Sequence, residues 1–254
     1  MFMSKSRLVL NGVLFGITMI AFLSIPMLSF CQETKSVSKK VSETLEEKYN
    51  VLKSDKKIKT GEYKVVDYNK NVFVKGEFAN NKKVGVWSYF GTEGKLVQQY
   101  DFSANKLIME DEDPKSIVRE GYDLVGVVTN DGDKIEPPVK IGGGNYGFYL
   151  LYDIRSIPMA VRNEMATIES SMQYIFFISE KGELISWDII YADKTDDPKR
   201  EKPSIKGLPA DAYEFIPAKV NGKPVKSKLL YSVKLTIAET NSQRTGQSNY
   251  IPKN

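Results

Sequence analysis

Two echoes at a single offset constrain this chain more than any other feature. Gly61-Glu62-Tyr63-Lys64 returns as Gly85-Val86-Trp87-Ser88, and Phe78-Ala79-Asn80-Asn81-Lys82 returns as Phe102-Ser103-Ala104-Asn105-Lys106, both 24 residues later. Val72, Val74 and Phe78 share one parity, as do Leu96 and Phe102, and Gly76, Gly85, Gly91 and Gly94 punctuate the runs. Period-two alternation between Gly and Asn turns predicts antiparallel hairpins. One such hairpin cannot bury its own apolar face, so the copies must stack as neighbours. Tyr63, Trp87, Tyr89 and Phe90 read as the packing of that small sheet, in preference to a ligand-stacking platform beside the nine lysines of residues 57–108.

A second alternating region follows. Met172, Tyr174, Phe176 and Ile178 share a face, then Ile185, Trp187, Ile189 and Tyr191, with a turn at Ser179-Glu180-Lys181-Gly182-Glu183. Leu229, Tyr231, Val233, Leu235 and Ile237 alternate with polar residues and predict a half-buried final strand. Ahead of the hairpin, Ile157, Val161, Met165 and Ile168 recur at helical spacing, with Ser156 as the cap and Pro158 in the first turn. The predicted fold class is α+β: an N-terminal antiparallel hairpin-repeat sheet, then a helix packed on a small antiparallel sheet.

Composition sets the function classes. The chain has no histidine, a single cysteine, Cys31, and a net charge of +4 over 254 residues. That removes the commonest general base and metal ligand, and leaves no thiol pair for zinc or a disulfide. No Lys/Arg stripe concentrates the charge, so no nucleic-acid partner is expected. No cofactor, metal site or catalytic residue is expected either. Gly142-Gly143-Gly144-Asn145-Tyr146-Gly147 lacks the Lys-Ser/Thr of a phosphate loop and reads as a flexible turn. Asp196-Asp197 and Asp131/Asp133 do not fit a calcium loop and read as solvated charges.

Residues 1–31 carry Lys5 and Arg7 before an uncharged apolar run that ends at Pro26 and Ser29-Phe30-Cys31-Gln32, the architecture of a secretory signal. An uncleaved anchor and lipidation at Cys31 are the alternatives, since about 20 apolar residues span a bilayer. Residues 32–56 read as a polar tether, with a short helix around Ser42 to Tyr49 as the alternative, and 57–110 as the repeat region. Residues 111–136 read as an acidic linker, with a strand over Tyr122 to Val128 as the alternative, 137–240 as a second domain and 241–254 as a disordered tail.

The repeats resemble the MORN-variant repeats of secreted and periplasmic bacterial proteins. Residues 137–240 resemble the C-terminal domain of TonB, through Pro137-Pro138, the glycine run, Ile157-Pro158, the Lys181-Gly182 hairpin and Phe215-Ile216-Pro217-Ala218-Lys219-Val220-Asn221-Gly222-Lys223-Pro224-Val225. The resemblance implies a final strand at or near a sheet edge, open to strand addition by an extended partner. Ser232, Lys234 and Thr236 would then face the partner, flanked by Ile157, Pro158, Phe215 and Pro217; the alternative is a final strand paired internally on both sides that binds nothing. The implied function is a non-enzymatic, exported envelope binding or adaptor protein, periplasmic or secreted. Its partner would be an envelope protein or extended peptide segment, such as an outer-membrane receptor. The alternative is an inner-membrane-anchored, TonB-like energy transducer in transmembrane transport. Residues 32–113 contain no proline, so the stiff spacer of such a transducer is absent. Membrane contact arises only if the N-terminal segment is retained or Cys31 is lipidated. N-terminal sequencing of the exported protein is expected to begin at Gln32; an intact Met1 would turn the reading toward the anchored alternative.

Overall fold

A computed structural model describes residues 32–111, 117–151, 170–192 and 198–235. Seven antiparallel strands in chain order form a meander: β1 (Thr34–Lys40), β2 (Glu46–Leu52), β3 (Lys59–Val66), β4 (Val72–Ala79), β5 (Lys82–Phe90), β6 (Leu96–Asp101) and β7 (Lys106–Glu110). The register shifts once in each of the five pairings from β2–β3 to β6–β7. Each bulge adds local twist and coils the sheet.

The two echoes meet inside this sheet. Tyr63, Phe78 and Phe102 all pack on the Trp87 indole, with ring centroids 5.0, 5.3 and 5.3 Å away. The two phenylalanines approach edge-on, the arrangement that brings positive ring edges to the negative indole face. Asn80 and Asn81 take positive φ of 49° and 67°, making the two-residue turn from β4 to β5 that suits strand twist.

A second sheet has the order β13-β12-β11-β17-β8, from β8 (Ile117–Leu124), β11 (Ser170–Ile178), β12 (Leu184–Ala192), β13 (Lys199–Glu201) and β17 (Ser227–Leu235). Small sheets pair β10 (Val139–Lys140) with β14 (Phe215–Ile216), and β15 (Ala218–Val220) with β16 (Lys223–Val225) and β9 (Ile135–Glu136). Met172, Tyr174, Phe176, Ile178, Leu229, Tyr231 and Val233 are buried, as their alternation predicts. Ile185 is 48% exposed because a bulge after Phe177 puts Leu184 in the core in its place. Gly182 sits at φ 78° in the β11–β12 turn, where a Cβ would lie 2.2 Å from the Phe215 carbonyl oxygen.

The expected α+β sandwich is not what the chain forms. Strands take 57% of the described residues, against one α-helix, α1 (Gly143–Leu151). That helix arises from the glycine run read as a flexible turn; the helix expected over 156–168 lies outside the described residues. Glycine disfavours helix locally, but here it lets the helix lie close to its neighbours. A Cβ on Gly144 would meet Tyr231 at 2.9 Å and Ile117 at 3.0 Å.

The described residues from Glu33 onward form one compact unit, and its two large sheets share one core through α1. Tyr146 packs on Tyr89 of the meander, Tyr149 on Phe73, and Phe148 on Tyr174 of the second sheet. The polar tether expected over 32–56 instead supplies β1 and β2, anchored by buried Leu45, Val51 and Leu52. The acidic stretch expected as a linker supplies β8 and β9.

Gly76 is the tightest point of the meander. Its absent Cβ would lie 2.3 Å from Trp87 Cδ2 and 2.4 Å from Cε2, so the indole lies flat on bare backbone. Gly76→Ala is expected to destabilise the chain by about 2 kcal/mol, the scale of core overpacking, read from the urea midpoint at unchanged m-value.

Candidate functional site

A cleft of about 850 Å³ opens where the β1–β5 side of the meander faces the turn at 207–214. Its basic residues are Lys39, Lys40, Lys59, Lys82 and Lys83, and its acidic ones Glu47, Asp211 and Glu214. All three acids are already engaged. Lys59 Nζ is 3.0 Å from Glu47 and lies over the rings of Tyr49, Tyr63 and Phe78. Lys83 Nζ donates to Asp211 Oδ1 at 2.8 Å and Glu214 Oε2 at 2.6 Å. The outer lysines remain: Lys40 reaches Glu43 at 3.6 Å, while Lys39 and Lys82 are exposed and form no ion pair among the described residues.

The cleft floor is a network centred on Asp211. Tyr146 donates its hydroxyl proton to Asp211 Oδ2 at 2.8 Å. Lys140, fully buried, donates to the carbonyls of Ile141, Asp211 and Glu214 at 2.9, 2.6 and 3.0 Å. Burial pushes Lys140 down to about 8, while the Glu214 and Asp211 carboxylates hold it up, so it remains an ammonium at neutral pH. Burial alone would raise Asp211, but the Lys83 ammonium, the Tyr146 hydroxyl and Lys140 outweigh it and hold the carboxyl below its ordinary range. Lys83 responds in kind: burial lowers it, and Asp211 and Glu214 more than compensate. Burial together with the Asp211 charge pushes the Tyr63, Tyr89 and Tyr146 phenols well up, so all three stay neutral.

At the cleft mouth ends β1, an edge strand whose Lys39 and Lys40 line it. Glu33 accepts from the Lys53 N–H at 2.8 Å and the Val41 N–H donates to Leu45 at 2.9 Å, with an unshifted register between them. In an antiparallel pair the backbone groups of alternate residues point the same way. Lys35, Val37 and Lys39 therefore turn theirs toward β2, while Thr34, Ser36, Ser38 and Lys40 turn theirs outward. Among the described residues no strand pairs with that outer side. Only Val37 is half-buried; the other six residues are exposed.

The residues expected to meet a partner lie elsewhere. β17 is interior: residues 227–233 pair with β11 on one side and β8 on the other, so the expected edge is occupied. Ser232 is half-buried within it, and the Lys234 backbone pairs with Ser171. Phe215 is a core residue, packed on Phe176 and covered by Lys140 Nζ 4.8 Å from its ring. Pro217 is half-buried against Gly182. Ile157, Pro158, Thr236, Cys31, Asp196 and Asp197 lie outside the described residues. Of the platform candidates, Trp87 and Tyr89 are fully buried and only Tyr63 reaches the cleft. Asp133 caps a loop, accepting from the Asn130 N–H and from Asn221 Nδ2. Among the described residues no cluster of three His, Cys, Asp or Glu side chains is placed to hold a metal ion, and no helix is long and apolar enough to cross a membrane.

No family model, curated protein or solved structure matches the chain. The site therefore stands on its geometry alone.

Asp211→Asn removes the charge that Lys83 and Tyr146 converge on. A loss of about 2 kcal/mol is expected at pH 7, the scale of a hydrogen bond to a charged group. Because the folded carboxyl is held low, its contribution is present above the unfolded value, about 3.9, and fades as pH falls through the folded one. Urea unfolding should thus separate wild type from variant at pH 7 and bring them together in strong acid.

Proposed function

We propose that the chain is an exported binding or adaptor protein of a bacterial cell envelope, without catalytic chemistry, that holds an extended partner segment against the outer side of β1. The observation that carries this reading is the open edge: seven residues long, solvent-exposed and ending at the cleft mouth. Main-chain pairing supplies affinity in such a site and alternate side chains supply specificity. The other edges suit this role less well. β13 is three residues long, and β8 carries a bulge at Glu120 while Arg119 reaches over to the Pro138 carbonyl at 2.7 Å.

Two further features support the reading. The ionisable groups of the cleft floor are committed to joining segments of the chain, which is a structural duty. The signal-like residues 1–31 and the likeness of the repeats to MORN-variant proteins support export.

Amide exchange tests the edge directly. In the isolated protein Ser36 and Ser38 should exchange fast, and Lys35, Val37 and Lys39 slowly. A strand-forming probe peptide at millimolar concentration should slow the first pair. Ser36→Pro deletes one outward donor and leaves the β1–β2 ladder intact, so it should abolish that protection and change stability little. Ser36 and Ser38 amides already protected in the isolated protein would show the edge to be covered, and would overturn the proposal.

A further inference from the structure

Resting on that edge reading, we infer that β1 selects a partner strand with the pattern acidic–x–apolar–x–acidic. The inference comes from which side chains share the face beside the cleft. Lys35, Val37 and Lys39 lie on one face, opposite Val51, Tyr49 and Glu47 of β2. Lys39 and Glu47 both line the cleft, which places that whole face on the cleft side.

A strand added along β1 sets its own residues directly opposite Lys35, Val37 and Lys39 at every second position. Opposite charges in directly facing pairs stabilise a sheet, and like charges destabilise it. Two carboxylates flanking an aliphatic side chain therefore match this face. The carboxylate opposite Lys39 also sits at the cleft mouth, where Lys40 and Lys82 add positive charge and the cleft's own acids are already paired. On the other face Ser36 and Ser38 are occupied by Asn50 and Glu46 of β2 and ask only for small polar neighbours.

A second copy of this chain is the wrong occupant. Antiparallel self-pairing centred on Val37 would set Lys35 of each copy against Lys39 of the other. Edge lysines of this kind are a known guard against self-association. The same charges that repel a second copy attract an acidic strand.

The probe is the blocked peptide Thr-Glu-Thr-Val-Thr-Glu-Thr, whose palindromic pattern presents the same face in either direction. Its controls carry Gln or Lys in place of both Glu residues. Binding is followed by chemical shifts and amide exchange of β1, on wild type, on Ser36→Pro, and on Lys35→Glu with Lys39→Glu. The Glu peptide is expected to bind wild type about tenfold or more tightly than the Lys peptide, with Gln between, and to weaken with salt. The Lys35→Glu, Lys39→Glu chain should reverse the order. Equal binding of all three peptides, lost together in Ser36→Pro, would leave the edge reading standing and overturn the acidic pattern. If no peptide slows any β1 amide, the edge reading fails and the pattern with it.

Discussion

Asp211 is the point on which the joint between the two halves of the chain depends. Its carboxylate takes Lys83 from β5 and Tyr146 from α1, and its carbonyl takes Lys140 from β10. Two stretches far apart in sequence, β5 and the adjoining β10 and α1, thus converge on one residue of a short turn. A buried ion pair is a weak source of net stability, because desolvation offsets most of the attraction. Its removal by halves is another matter, since each orphaned charge keeps the penalty without the partner. The network therefore fixes one relative placement of meander, helix and turn, while the aromatic contacts of Tyr89, Tyr146, Tyr149 and Phe148 supply the apolar area.

The meander itself rests on a shape match. Trp87 presses on Gly76 from across the β4–β5 pair, and the rings of Tyr63, Phe78 and Phe102 surround it. An aromatic laid over a strand glycine covers backbone that would otherwise be exposed, and gives the glycine a packing partner it lacks. The 24-residue echo is the sequence form of this arrangement: each copy brings one ring from its Gly-x-aromatic phrase and one phenylalanine.

The parts legible in the sequence are those where one strand face is buried and the other wet. Met172 to Ile178 and Leu229 to Val233 alternate cleanly because a core lies on one side only. β1 left no such trace: an edge strand exposed on both faces has no reason to alternate, so TKSVSKK reads as tether. α1 was hidden for the opposite reason. Its glycines weaken the local helical signal, and the helix owes its place to close contact with Tyr231, Ile117 and Lys140. The interior position of β17 depends on β8, which acidic composition disguised as a connector. Nor could local pattern have joined Lys83 to Asp211, which stand 128 residues apart.

Edge strands invite unwanted pairing, and this chain manages its edges unequally. β13 is short, β8 is kinked at Glu120, and at the end of β7 the Glu110 carboxylate lies 3.7 Å from Arg119 of β8. β1 keeps its full seven residues and is defended by charge alone, through Lys35, Lys39 and Lys40. Shortness and kinking obstruct every incoming strand, whatever its sequence. Charge obstructs only strands of like sign, and adds attraction for those of opposite sign. A sheet that needed merely to stay soluble gains nothing from that selectivity, whereas a sheet that must distinguish partners does. The exposed ladder groups of Ser36 and Ser38 carry no sequence preference of their own, so under the proposed reading any discrimination at this edge falls to the lysines on either side of Val37.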